Sequence, residues 1–331
     1  MAGEAPIRVL ALIPPIERHV GHWACSSPGL DVHRVIMDED AATPRILEAM
    51  QVHGPQVVAI IGKQAGQYLD LLDHLAGGEP RLASLPRVYR CQNTMLTHRL
   101  KGRAPTRQFL ASLNGWFRCA CDERFSLVLV QTVDDVPLIR EVLAPTPVAL
   151  CPFGYDPDLF DPDLPELDRV TDVGCYLTLR DDLRRVQLVE TAEVICRRRG
   201  WTFRFQEGKY WHDYTTAIRT SRICLHRSDQ SEVPFRMVET TILGAVFLTD
   251  PLHYHAETFF ELGSEYLTYQ PDLSDLEGVL EELLTNERYL QTIARAGQQR
   301  ARKYSWPCIA EEYVVPALRH LLDGVKNPVS L

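Results

Sequence analysis

The residues best placed to do chemistry lie in HRSDQSEVPFRMVETTILGAVFLTD, residues 226–250. The spacing predicts a helix capped by Ser231 or Glu232, with Pro234 in its first turn and Phe235, Val238 and Ile242 as its buried stripe. Gly244 should stop it before a strand at 245–249. Arg236 and Glu239 stand three positions apart on another face. Unpaired amides at such a helix start would receive a diphosphate, and Glu239 is placed to accept hydrogen bonds from two ribose hydroxyls. The set suits a nucleotide. An exposed Arg236–Glu239 pair worth only about 0.2–0.5 kcal/mol would show the same spacing, so spacing alone leaves both readings open.

A second candidate is the loop YLTLRDDLRR, residues 176–185, which precedes a helix and offers Arg180, Arg184 and Arg185. Guanidinium forks can clamp phosphate oxygens and neutralise a departing diphosphate without a metal. Any one of them also fits a solvated helix face, and at least one is expected to face the ligand. His19 and His22 flank Gly21 in the loop after the first apolar run, where an imidazole could take a proton from an acceptor hydroxyl. A polar loop histidine reads the same way. His226, His253 and His255 carry the same ambiguity.

No metal is expected. Cys119 and Cys121 form a C-x-C without a second pair at finger-like spacing. The acidic triplets 38–40, 156–158 and 161–163 resemble a chelating D-x-D, but two are interrupted by proline and the first reads as turn chemistry. Neither a G-x-G-x-x-G after the first strand nor a G-x-x-x-x-G-K-[ST] occurs, which argues against dehydrogenase and P-loop chemistry.

The elements that must position these groups are legible as short Val/Ile/Leu-rich runs separated by polar helical patterns, the mark of parallel strands joined by crossover helices. Strands are predicted at 8–13, 31–37, 56–61, 87–92, 127–131 and 147–151, with helices near 43–53, 65–76, 105–120 and 134–143. Prolines 152, 157, 162 and 165 then forbid a long helix and imply a stiff connector. A second series follows, with strands at 172–175, 202–206, 223–226 and 245–249 and helices near 182–199, 210–221 and 234–243. Amphipathic helices at 273–284 and 287–303 come next, and Pro307 opens a last helix kinked at Pro316. This is an α/β chain with two doubly wound parallel sheets, divided into 1–152, 153–306 and a terminal helix at 307–331 that packs back on the first domain. Ligands of such sheets bind beyond the carboxyl ends of the strands, here in a cleft between the two domains.

Bulk composition agrees. A chain of 331 residues fits two domains of roughly 150 residues. Its 45% hydrophobic and 24% charged residues are those of an ordinary globular protein, and 35 basic against 44 acidic residues give a charge of -9, so nucleic acid is a poor partner. MAGEAPIRVLALIPP lacks a basic n-region, and no apolar stretch reaches the roughly 18–20 residues of a membrane span. The nine cysteines are scattered through apparent strands and helices. A cytoplasmic location is expected.

Several segments together resemble a known family. CPFGYDPDLFDP is similar to the segment joining the domains of group 1 glycosyltransferases. DVGCYLTLRDDLRR, YWHDYTTAIRTSRICL, the FRMVETTILGAVFLTD block and ELGSEYLTYQPDLSDLEGVLEELLTNERYLQTIARAGQQRARKYSW resemble, in order, the CgeB-like (spore maturation) members of that type. The likeness runs from about residue 150 to 306. It implies GT-B architecture, two facing Rossmann-like domains, with the acceptor on the first and a nucleotide-diphosphate sugar on the second. It also implies a metal-independent, often retaining, sugar transfer with no cofactor beyond the nucleotide sugar. Glu239 matches the second glutamate of the family's Glu, seven residues, Glu motif, which binds the donor ribose; Ser231 stands in the place of the first, with Glu232 one position late. Arg236 matches an arginine frequent in the CgeB-like subset, and Arg180 or Arg184 stands where diphosphate-binding basic residues are expected. A noncatalytic nucleotide-sugar-binding or scaffold protein and a GT-B epimerase remain open alternatives.

Overall fold

The structure, a computed structural model, describes residues 4–15, 23–38, 41–91, 105–165, 167–179, 182–207, 211–228, 233–253 and 256–324. The chain divides into two compact units, the first built from residues 1–154 and 306–331, the second from 155–305.

In the first unit the strands are β1 (Ile7–Ile13), β2 (Leu30–Ile36), β3 (Val57–Ile60), β4 (Arg87–Cys91), β5 (Leu127–Val130) and β6 (Val148–Leu150). They form one parallel sheet in the order β2-β1-β3-β4-β5-β6, so the strand order reverses between β1 and β3. β1 is buried at every position but Arg8, because crossover helices cover both faces of a parallel sheet. The helices are α1 (Ala42–Val52), α2 (Ala65–Ala76), α3 (Pro80–Ser84), α4 (Arg107–Leu113), α5 (Gly115–Ala120) and α6 (Asp135–Leu143).

The single helix expected over 105–120 is two. Asn114 adopts extended backbone and its Oδ1 accepts from the amides of Trp116 and Phe117 at 2.9 and 3.0 Å, so an asparagine able to cap a new helix ends the old one. α3, which was not expected, starts on Pro80 with Glu79 capping the Arg81 amide.

The second unit resumes the alternation with β7 (Thr171–Cys175), α7 (Leu183–Arg199), β8 (Phe203–Phe205), α8 (Trp211–Arg219), β9 (Ser221–Leu225), α9 (Phe235–Ile242), β10 (Val246–Thr249), α10 (Ala256–Phe259), β11 (Leu267–Thr268), α11 (Leu276–Thr285) and α12 (Glu287–Ala301). Its sheet is also parallel, ordered β11-β10-β9-β7-β8. The two-residue β11 is too short to leave a periodic signal.

Residues 306–324 belong to the first unit as α13 (Trp306–Ile309), a π-helical turn over Ala310–Val314 and α14 (Val315–Leu322). Pro316 therefore sits in the first turn of α14, where its missing N–H costs nothing. The widened turn before it replaces the kink expected inside a continuous helix. Glu311, in that turn, accepts from the amide of Gly29 at 2.6 Å.

Candidate functional site

Of the residues singled out by sequence, Pro234, Phe235, Arg236 and Glu239 lie at or on α9, and Arg184 and Arg185 in the first turn of α7. Gly244, with φ +76°, ends α9 in the left-handed conformation glycine tolerates. Arg169 supports that end by donating to the Leu243 carbonyl at 3.1 Å and to the Ser221 carbonyl. At the other end Pro234 is the N-cap, extended and without a side-chain capping bond, so it precedes the first turn rather than filling it. The Met237 amide turns back to the Pro234 carbonyl at 3.0 Å. Ser231 and Glu232, the expected caps, lie outside the described residues, as do His19, His22, Arg180 and His255.

The buried stripe also differs from expectation. Residues Met237 to Ile242 are buried all round while Phe235 stays half-exposed, because α9 is packed against both β10 and α12. Glu239 is consequently 6% exposed, which rules out a solvent-exposed Arg236–Glu239 pair.

A buried carboxylate needs partners. The hydroxyl of Tyr214, on α8, donates to Glu239 Oε2 at 2.7 Å. The Tyr214 ring is itself held edge-on by Phe160 and Tyr176, each at 6.3 Å, and the half-buried Arg236 guanidinium lies over it at 5.7 Å. Burial, with the Glu239 charge behind it, pushes the Tyr214 phenol well above its ordinary value. The phenol keeps its proton and acts as donor. Burial opposes the charge on Arg236, yet Tyr214 and Glu239 outweigh it and hold that guanidinium above the usual arginine range. Sequence could not reveal this contact, since Tyr214 and Glu239 are 25 positions apart and meet only through packing.

Tyr214→Phe keeps the ring and deletes the donor, so it should cost about 1.5–3 kcal/mol, the value of a hydrogen bond to a charged group. Urea unfolding checks it. Unfolded tyrosines ionise near pH 10, whereas buried Tyr214 holds its proton to higher pH. The folded form then binds more protons than the unfolded one, so stability falls as pH rises past about 10, and the variant loses part of that fall.

The first turn of α7 sends its two arginines in different directions. Asp182 caps α7, accepting from the Arg184 amide at 3.0 Å, and the Arg184 guanidinium folds back onto the same carboxylate at 2.9 Å. That contact holds the Asp182 carboxyl below the usual range. Arg185 instead points inward, donating to the carbonyls of Thr178 at 2.8 Å and Arg227 at 3.0 Å. Arg185 shares the buried face of α7 with Leu188, Ala192 and Ile195, a spacing that could have set it apart from Arg184. Arg227, directly beyond β9, is 5% exposed, and among the described residues its Nε and Nη1 have no hydrogen-bond partner. Nothing in the sequence around it gave a signal.

Other candidates have structural work. His226 extends β9, bonding the Leu248 carbonyl at 2.9 Å, with its ring 5.5 Å from Phe247. His253 is exposed. Asp156 and Asp161 each accept from the amide two residues on, at 3.0 and 2.9 Å, as turns do. Cys119 donates to the Lys63 carbonyl, and burial pushes the Cys121 thiol up to about 11. Among the described residues no group of three His, Cys, Asp or Glu side chains could hold a metal ion, and no helix is long and apolar enough to cross a membrane. Two cavities, of about 530 and 450 Å³, open at the amino ends of the strands, and Asp161, Arg169 and Gly244 line the larger.

Residues 180–313 match the family model described as Glycosyl transferase-like. No curated protein sequence matches the chain. Among solved structures it is similar to the sucrose-phosphate synthase of Thermosynechococcus elongatus, at 13% identity over 96% of this chain and 89% of that one, with a TM-score of 0.52. It is similar to Anabaena Alr3699/HepE in complex with UDP, at 13% identity over 95% and 99% and a TM-score of 0.54. A glycosyltransferase from Rickettsia africae matches at 8% identity over 97% and 99%, with a TM-score of 0.54. Two parallel-sheet α/β units in this order make the fold that of the GT-B glycosyltransferases. The family match and these neighbours together support a glycosyltransferase.

Proposed function

We propose that this chain is a metal-independent, retaining glycosyltransferase of the CgeB-like subset, which carries its nucleotide-diphosphate sugar on the second unit and its acceptor on the first. One observation carries the reading: a carboxylate, Glu239, is buried one turn into the helix that starts beyond the carboxyl end of β9, held there by a phenol. That is the end of a parallel sheet at which ligands bind. The family match across the same helix and the Anabaena relative's complexes with UDP and UDP-glucose support it.

In this reading Glu239 accepts the ribose hydroxyls, the backbone between Ser231 and Phe235 receives the diphosphate, and Arg236 steadies the tyrosine beside the carboxylate. Arg180 or Arg184 meets the charge from the loop, and buried Arg227 adds a guanidinium with unused donors. As the anomeric bond breaks, these preorganised donors stabilise the leaving diphosphate, which then takes the acceptor proton on the same face. A thermal-shift panel of UDP-, GDP-, TDP- and ADP-sugars tests the donor, since a ligand bound only by the folded state raises its stability. Nucleotide release that depends on an acceptor tests transfer; no shift with any of the four donors would end the proposal.

In the alternative in which a side chain rather than the leaving diphosphate takes the acceptor proton, His19 and His22 are the base candidates. If either serves, the His19→Ala/His22→Ala double variant should lose about 10²–10⁴-fold in kcat with donor affinity intact. Full activity in that variant removes both.

A further inference from the structure

The larger cavity lies within the second unit, at the amino ends of β9 and β10, the opposite end of the sheet from the start of α9. Its volume of about 530 Å³ is that of a small-molecule site. Four guanidinium groups line it. Two are committed: Arg169 to the Leu243 and Ser221 carbonyls, and Arg222 to Asp172 at 3.0 Å and Glu287 at 2.5 Å. The other two are not. Arg219 uses one nitrogen on the Pro165 carbonyl, and Arg295 reaches only Gln291 Oε1 at 3.5 Å, too long for a good bond. Neither is ion-paired among the described residues.

Of the two acids at the cavity one is ion-paired and the other is held in a turn, so its four guanidinium groups outnumber its carboxylates. Glu287 binds Arg222, and Asp161 accepts from the Asp163 amide at 2.9 Å. Leu164 and Leu167, 46% and 36% exposed, supply an apolar wall. The cavity of the first unit provides the contrast. There Arg87 pairs with Asp73 at 2.6 Å, and Arg124 with Asp70, Asp73 and Asp122 at 2.7, 2.9 and 2.7 Å, so both guanidiniums are neutralised. Two uncompensated cations beside exposed leucines, in a chain of net charge -9, mark a place for an amphipathic anion.

We propose that this cavity binds a small organic anion, its charged group between Arg219 and Arg295 and its apolar body on Leu164 and Leu167. The site is separate from the proposed donor site. Isothermal titration of the full chain with phenyl phosphate, and with inorganic phosphate as the charge alone, tests it. Phenyl phosphate should bind at one site about tenfold more tightly than inorganic phosphate, and Arg219→Ala/Arg295→Ala should weaken it at least about tenfold. Leu164→Glu should do the same without touching a guanidinium. Saturating UDP and Glu239→Ala should leave it unchanged. Absence of binding at millimolar phenyl phosphate, equal affinity in the folded arginine double variant, or displacement by UDP would overturn the proposal.

Discussion

Glu239→Ala should weaken nucleotide-sugar binding by about 10–150-fold, because hydrogen bonds from hydroxyls to a charged acceptor are worth about 1.5–3 kcal/mol and each 1.4 kcal/mol is tenfold. The same change also leaves the Tyr214 hydroxyl buried without its acceptor, which costs about 1–3 kcal/mol of stability. The two effects are separable. Glu239→Gln keeps an oxygen facing Tyr214 and should recover most of the stability, while the loss of charge still weakens the donor. Isothermal titration with a nucleotide sugar beside urea unfolding distinguishes them. Unchanged affinity in a folded Glu239→Ala protein would remove the donor site from this helix.

Gly297→Ala should be strongly disruptive in the second unit. A Cβ at this position of α12 would lie 2.6 Å from the Glu265 carbonyl oxygen and 3.3 Å from Thr241 Cγ2 on α9. A side chain can rotate away from such a contact, but a backbone carbonyl cannot. Overpacking of this kind costs about 1–3 kcal/mol, here at the upper end, and the relief available is to push α12 off α9. A lowered urea midpoint accompanied by weaker donor binding is the expected pair of results. A midpoint matching the parent protein would mean that the two helices have slack between them.

What was legible in the sequence follows from how each feature is encoded. Both parallel sheets could be read because buried strands write continuous apolar runs, as IRVLALI does for β1, and because crossover helices alternate with them. Where a local competitor acts the reading failed: Asn114 ends one helix by capping the next, and a hydrophobic period cannot report that choice. The identity of Glu239 was visible, but its burial and its tyrosine were not, since they come from α8 and α9 meeting in space. Arg185 could have been separated from Arg184 by counting helical turns. Arg227 offered no such handle, because a lone cation after a strand looks like any loop residue.

The Tyr214 hydroxyl already occupies one oxygen of Glu239 before any sugar nucleotide arrives. Under the proposed reading this bond fixes the carboxylate in place beforehand, so the ribose hydroxyls meet an acceptor already aimed and little ordering is left to be done on capture. Discrimination between donors falls to the groups that meet the base and the sugar, because the diphosphate is common to all of them.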